Sequence, residues 1–384
     1  MSWMVPRSKL DPDQNRFLDQ IATGDNNNHW ISGFAGSGKS VLVVAALIQA
    51  KKDNPDLKAC VVLFTHSLID LIETGIPDEL GHIPVMTYHQ FRKGTETYDL
   101  ILVDEVQDLP RAIVRQLRER SNQLIMAGDD AQSIYTDRID PEKLPEVANA
   151  EKFPLTIIHR LPRNIIKLAK EIFPDKNLDA AKQDRLKSIE PRVGEADTEE
   201  DELEYVWTKA KRGAAPGNPS AILLPNHSEI VAFANDILHY EDRSAWSVTT
   251  NQYGKNDYRL LNQHLRDAGL ALRYLGNQYG RLEEGDSKER VFLMTYHSVK
   301  GLDFETVLLP RLNQRLTIWR DDEELARTLF FVAFTRSREN LYLTYTGTPH
   351  HFIDEIPDTG VHTLSIPEPE EDEAGFESVD GPIF

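Results

Sequence analysis

Along the chain, short runs of apolar, largely β-branched residues alternate with longer stretches in which apolar side chains recur every third or fourth position. The runs predict strands at 29–33, 60–64, 85–87, 100–103 and 124–127, with helices over 12–22, 38–51 and 110–119. The pattern then restarts, with strands at 155–158, 221–224, 292–295, 307–309 and 341–344 and helices over 164–173, 201–212, 227–240, 257–268 and 322–337. Alternation of this kind predicts parallel sheets covered by helices, an α/β class. Two such domains are expected in series, 1–150 and 151–350, joined near 145–155. From 351 to 384 the apolar periodicity fades into a Pro- and acid-rich stretch, expected to be a disordered tail. The tetrapeptide AsnGlnTyrGly occurs at 251–254 and 277–280 and reads as two turn-forming segments.

Composition changes this picture little. Hydrophobic residues at 40% and charged residues at 27% suit an ordinary globular chain. Membrane-spanning runs and a secretory apolar core are not apparent, so a cytoplasmic protein without a membrane partner is expected. The lone cysteine, Cys60, excludes an intrachain disulfide and reads as a buried core thiol. A net charge of -19 argues at first sight against binding a polyanion. However, residues 195–204 and 366–384 each carry seven acids and no base, and the other 355 residues share only about -5. A nearly balanced body can still hold local basic grooves.

Two motifs carry chemistry. GlyPheAlaGlySerGlyLysSer at 33–40 fits G-x4-G-K-[ST] in full and lies between a predicted strand and a predicted helix. Its glycines Gly33, Gly36 and Gly38, with Ser37, let backbone N–H groups curl around a β-phosphate at a helix N-terminus. Lys39 is expected on the β- and γ-phosphates and Ser40 on Mg2+; the alternative is a glycine-rich turn without nucleotide. AspLeuIleLeuValAspGluValGlnAsp at 99–108 ends a buried strand in adjacent carboxylates, placing Asp104 to hold the metal and Glu105 to polarise the attacking water. The pair of motifs implies hydrolysis of ATP or GTP.

The form AspGluValGlnAsp (104–108) is similar to that of the UvrD/Rep/PcrA group of superfamily 1A helicases, and further motifs of that family follow in order. LeuAspProAspGln (10–14) resembles the adenine-reading Q motif; LeuPheThrHisSer (63–67) and ThrTyrHisGlnPhe (87–91) resemble motifs Ia and Ib. GlyAspAspAlaGlnSerIleTyr (128–135) resembles motif III and HisArgLeuProArgAsnIle (159–165) motif IV. LeuMetThrTyrHisSerValLysGlyLeuAspPhe (293–304) and ValAlaPheThrArgSerArg (332–338) resemble motifs V and VI. The resemblance implies two tandem RecA-like P-loop domains with ATP and Mg2+ bound between them. It implies that Gln14 reads adenine, that Gln132 senses the γ-phosphate, and that Arg160 and Arg336 reach the same phosphate from the second domain. His159 stands at the adenine-stacking position, Asp303 is expected near the ribose, and Gly301 is expected to bind the nucleotide as well. Gln107 and Asp108 are expected to couple the domains. It also implies a single-stranded DNA track over Phe64, Thr65, Thr87, His89, Tyr135, Arg138, Thr295 and His297, each of which has a core-packing or turn-forming alternative.

Departures from the family pattern bear on nucleic acid more than on hydrolysis. A base-stacking tryptophan usual in motif III is replaced by Asp137, the adenine-stacking tyrosine by His159, the arginine after the phosphate loop by Val41, and the motif V glutamate by Asp303. Only twelve residues separate Phe91 from Asp104, which excludes the family's first large insertion, and 241–289 leave room for a small remnant of the second. Two readings follow: an ATP-dependent translocase or helicase on single-stranded DNA (RNA remaining open), or an ATP-gated sensor or partner-regulating subunit with little unwinding. A protein partner could replace the missing domains. The Phe-ended acidic tail is either a docking peptide for such a partner or a solvated segment.

Overall fold

The structure, a computed structural model, describes residues 3–24, 26–65, 67–129, 139–159, 161–176, 178, 182–183, 189–251, 256–276, 279–285 and 288–367. The first lobe opens with α1 (Pro12–Ala22), whose start is set by sequence: Asp11 accepts from the Gln14 amide, Gln14 returns a bond to the Asp11 N–H, and Pro12 occupies the first turn. There follow β1 (Asn28–Gly33), α2 (Lys39–Asp53), β2 (Ala59–Leu63), α3 (Ser67–Gly75), β3 (Val85–Thr87), α4 (Tyr88–Lys93), β4 (Tyr98–Val103), α5 (Arg111–Glu119), β5 (Ser121–Gly128), α6 (Leu144–Ala148) and β6 (Ala150–Leu155). The six strands form one parallel sheet in the order β3-β2-β4-β5-β1-β6.

A two-stranded parallel ribbon, β7 (Ile157–Ile158) with β8 (Lys182–Gln183), brackets α7 (Arg163–Ile172). The second lobe contains β9 (Arg192–Ala196), α8 (Glu199–Gly213), β10 (Ser220–Leu224), α9 (His227–Tyr240), an antiparallel ribbon of β11 (Thr249–Thr250) and β12 (Asn256–Asp257), α10 (Leu261–Asp267), β13 (Leu272–Tyr274), β14 (Val291–Thr295), β15 (Phe304–Leu309), α11 (Glu323–Phe334), β16 (Ser337–Thr346), α12 (His351–Asp354) and β17 (His362–Ile366). Its sheet is also parallel, ordered β13-β14-β10-β15-β16-β9-β17. Strands β2, β10 and β14 are buried along their whole length, which is why they read as unbroken apolar runs. The expected α/β class, parallel sheets covered by helices, is the one the chain adopts.

The differences lie at the edges. The strand expected at 155–158 is in fact two: β6 ends at Leu155 and pairs with β1, so the first sheet runs through the boundary expected at 150, and β7 belongs to the ribbon. Residues 351–367, expected to belong to a disordered tail, are part of the fold instead: α12 and β17 lie in the second lobe, with β17 pairing along β9 and Ile366 buried. The acid-rich stretch 368–384, with its docking role, lies outside the described residues. Within 241–289, expected to leave room for at most a small insertion remnant beside core elements, α10 and β13 belong to the second lobe, β13 as a strand of its main sheet. Between α4 and β4 only residues 94–97 intervene, so no domain is inserted there.

Among the described residues, three apolar clusters form the core. One packs α4, α5 and α6 on the outer face of the first sheet, through Phe91, Ile113, Leu117 and Leu144. A second packs α8, α9 and α10 on the outer face of the second sheet. The largest is continuous between the lobes, running from Phe17 and Leu42 through Leu68, Ile72 and Leu302 to Phe304 and Phe331. Among the described residues, no helix is long and apolar enough to cross a membrane.

Candidate functional site

The loop after β1 is shaped by glycine. Gly36 and Gly38 have φ of 74° and 82°, in the left-handed region open to a residue without Cβ. A Cβ on Gly38 would stand 2.4 Å from Gln14 Nε2, and one on Gly33 would stand 2.6 Å from Ser37 Oγ. Lys39 opens α2 and folds back over the loop, its Nζ donating to the carbonyls of Gly33 at 2.8 Å and Phe34 at 2.9 Å. Ser37 is fully buried and its hydroxyl has no hydrogen-bond partner. Val41, where the family has arginine, is buried in the core.

Strand β4 delivers the acid pair to this loop. Ser40 Oγ donates to Asp104 Oδ2 at 2.6 Å, joining the phosphate loop to the first carboxylate. Burial and the adjacent Glu105 charge push Asp104 up to about 6. Glu105 is equally enclosed, and burial opposes its ionisation; Lys300 and Lys39 outweigh that opposition and hold its pKa below the usual range. Its backbone has φ 57°, unusual for a residue with a Cβ and costing on the order of 1 kcal/mol or more. Gln107 locks this turn, donating from Nε2 to Glu105 and accepting the Asp129 N–H at 3.1 Å.

The second lobe reaches the same place with cations. Lys300 Nζ, from the loop after β14, pairs with Asp108 and lies 3.8 Å from Glu105 Oε2. All three side chains are buried. Nothing in the phosphate-loop or acid motifs singles out Lys300; its only signal is its place in ValLysGly of the stretch resembling motif V. Arg336 is buried as α11 gives way to β16, with Nε on the Val332 carbonyl at 2.8 Å, Nη2 on Thr335 Oγ1 at 3.0 Å and Nη1 on the Leu302 carbonyl at 3.3 Å. Its charge adds to those that lower the Glu105 pKa.

Gln14 and His159 flank the loop on the other side. Gln14 Nε2 donates to the Ser37 carbonyl at 3.0 Å. His159 Nε2 meets Asp11 Oδ2 at 2.7 Å, and the backbone N–H of His159 donates to the Gly36 carbonyl at 2.9 Å, so the first residues of the second half are tied to the phosphate loop. Gly301 and Asp303 sit elsewhere along the cleft. A Cβ on Gly301 would stand 2.6 Å from Leu68 of α3. Asp303 pairs with Arg338 at 3.4 Å on the wall of a cavity of about 90 Å³ that it shares with Trp3, Asp70 and Thr74. Gln132, Arg160, Tyr135, Arg138 and Asp137 lie outside the described residues.

The remaining track residues divide. Thr87 caps α4 in a reciprocal pair with Gln90, and the Thr295 hydroxyl meets Ser298 Oγ at 2.9 Å, so both hydroxyls take part in local turn contacts. Phe64 and His89, by contrast, belong to a partly open aromatic platform at the ends of β2 and β3. Phe64 stacks on Tyr88 at 5.3 Å, and Tyr88 lies 3.9 Å from the His89 ring. Thr65 is half-buried beside it. Tyr88 was not among the expected contacts, because only the meeting of two strand ends makes it part of a surface. His297 is half-buried, its ring 5.5 Å from Trp319.

Comparison with known proteins matches residues 29–205 to the viral superfamily 1 RNA helicase core domain and residues 247–348 to the UvrD-like helicase C-terminal domain. The chain is similar to the ATP-dependent DNA helicase Rep of Buchnera aphidicola subsp. Schizaphis graminum, 36% identical over 86 residues, which are 18% of this chain and 13% of that protein. It is also similar to the ATP-dependent DNA helicase PcrA of Bacillus subtilis, 30% identical over 136 residues, which are 31% of this chain and 18% of that protein. The matched stretches thus span less than a fifth of either relative. Among solved structures, the PRRSV helicase aligns with 85% of this chain and 54% of its own at a TM-score of 0.44 and 14% identity. A Pif1 helicase at forked double-stranded DNA aligns with 87% and 92% at a TM-score of 0.44 and 13% identity.

Proposed function

Since the chain belongs to superfamily 1 of the helicases, we propose that it is an ATP-driven translocase on single-stranded DNA, hydrolysing ATP in the cleft between two RecA-like units. The observation that carries this reading is the convergence at one buried place of Ser40 from the phosphate loop, Asp104 and Glu105 from β4, and Lys300 and Arg336 from the second lobe.

The donor set fits ATP with Mg2+. Glycines that leave no room for a Cβ, a buried Ser37 hydroxyl without a partner, and two adjacent buried carboxylates suit a phosphate chain and its cation. Ser40 and Asp104 would hold the ion, which when bound neutralises phosphate charge. Lys39 and the backbone of Gly33, Gly36, Ser37 and Gly38 would bind the phosphates, with Gln14 and His159 beside the base. Glu105, kept ionised by Lys300 and Lys39, takes the proton of the attacking water. Arg336 approaches the γ-phosphate from the second lobe, joined by Arg160 and Gln132 in the roles that the family resemblance implies. Gly301 and Asp303, packed on Leu68 and Arg338 in this conformation, come to the nucleotide as the cleft closes, Asp303 to the ribose.

A second reading, an ATP-gated sensor or partner-regulating subunit with little unwinding, is favoured by the bare link 94–97 between α4 and β4. Steady-state hydrolysis separates the two. A translocase is stimulated by single-stranded DNA, Lys39→Ala and Glu105→Gln abolish turnover, and Glu105→Gln still binds ATP. Turnover indifferent to the strand would remove the translocase reading, and normal turnover by Glu105→Gln would remove the assignment of the base.

A further inference from the structure

A glutamine reads adenine by offering both ends of its amide at once, the carbonyl to the N6 amine and the NH2 to N7. Gln14, given that role by the family resemblance, has both ends engaged elsewhere. Its Oε1 accepts the Asp11 N–H at 3.1 Å, closing the capping box of α1, and its Nε2 donates to the Ser37 carbonyl at 3.0 Å. The residue is only 3% exposed, with Asp11 and Ser37 buried beside it, so what remains of the amide has little surface to offer a base. Neighbouring polar groups are used in the same way. The Asp11 carboxylate accepts the Gln14 N–H through Oδ1 and meets His159 through Oδ2, Asn15 Nδ2 donates to the Leu10 carbonyl at 2.9 Å, and Asp13 accepts from Thr156 at 3.1 Å. Turning Gln14 outward would open the cap and leave the Asp11 N–H and the Ser37 carbonyl unpaired in a buried place. Closure of the cleft does not release it, because α1 and the phosphate loop belong to the same lobe. The loop is also built against it, since a Cβ on Gly38 would stand 2.4 Å from Gln14 Nε2.

His159 meets the base by other means. Its ring is tethered at the edge by Asp11, its backbone by the Gly36 carbonyl, and its side chain keeps 26% exposure. A ring tethered in this way recognises a base by stacking, which senses a flat π face and not the donors and acceptors around its rim.

We propose that Gln14 braces the phosphate loop instead of reading adenine, and that the nucleotide site takes purine nucleoside triphosphates alike, holding them by their phosphates and by stacking of the base on His159. The proposal deepens the reading of a nucleotide-hydrolysing cleft given above and rests on it. Asp11 is then a positioning residue, one oxygen holding the cap of α1 and the other the imidazole.

The test is steady-state hydrolysis of ATP, GTP, ITP and 7-deaza-ATP by the full chain. ITP replaces the N6 amine by an oxygen and 7-deaza-ATP removes the N7 acceptor, so each deletes one of the two contacts an edge-reading amide would make. A site built to hydrogen-bond its substrate rejects an analogue lacking the group by roughly four orders of magnitude. Here kcat/KM for the four nucleotides is expected to agree within about tenfold, the most that a single neutral hydrogen bond contributes. A larger loss with ITP or 7-deaza-ATP would overturn the proposal while leaving the hydrolytic cleft in place. This comparison needs no variant and so does not depend on any substitution folding. Gln14→Glu, which keeps an acceptor for the Asp11 N–H, should leave the ratio of ATP to ITP hydrolysis unchanged. His159→Ala should raise KM for ATP and ITP by the same factor. A loss confined to ATP in either variant would also overturn the proposal. A wild-type chain that hydrolyses none of the four would instead remove the reading of the cleft on which it rests.

Discussion

Cys60 lies within β2 and Glu105 just beyond the neighbouring strand β4, and they meet opposite fates. Burial pushes the Cys60 thiol up to about 12, with Arg120, Tyr98 and Lys58 too weak to offset it. Glu105 is equally enclosed, yet cations from both lobes keep it charged. A thiol reagent at pH 8 should therefore leave native Cys60 unmodified and label it only on addition of denaturant; labelling of the folded chain at the rate of a free cysteine would contradict the packing around β2. The buried thiol was legible from the apolar run that holds Cys60. The state of Glu105 was not, because Lys300 lies 195 residues further along the chain and no local spacing connects them.

Elements were legible where two local signals agree. Helix α1 combines a capping box with apolar periodicity, and α9 has Asn226 as its cap; both occupy the expected bounds. Strands β9, β13 and β17 were not expected, since they are short and carry polar residues such as Arg192, Arg273 and His362, so that only pairing defines them. For β17 this has a measurable consequence. Ending the chain after Asp358 removes a strand whose Ile366 and Leu364 pack over Gly194, and should cost at least about 2 kcal/mol in urea unfolding from the lost apolar burial alone. Ending it after Pro367 should leave stability unchanged. Equal stability of the two shortened chains would restore the tail reading of this segment.

At the scale of the whole molecule the lobes are joined by apolar and ionic contacts. Leu68 and Ile72 of α3 bring the first lobe into the cluster that contains Leu302 and Phe304, and Lys300 pairs with Asp108 where water is excluded. Breaking a buried pair from one side leaves an uncompensated charge, so Lys300→Met should destabilise the chain by about 3–5 kcal/mol. Adding Asp108→Leu should recover a large part of that, Glu105 accounting for the remainder. Thermal unfolding of both variants provides the check, and additive losses would show that the pair does not couple the lobes.

The amino-acid sequence by itself determined what depends on neighbours along the chain: the glycine loop with Lys39 and Ser40, the acids closing β4, the order of the motifs, the parallel α/β class and the lack of an inserted domain after α4. Each is written in spacings of a few residues, because backbone conformation and strand or helix period act over that range. Tertiary structure alone decided which distant groups meet: Lys300 with Asp108, His159 with Asp11, Arg336 within the field of Glu105, and Trp319 beside His297. These contacts depend on how strands order themselves within each sheet and how one sheet faces the other. Those choices are made by burial summed over the whole chain, which carries no period that a local reading can detect.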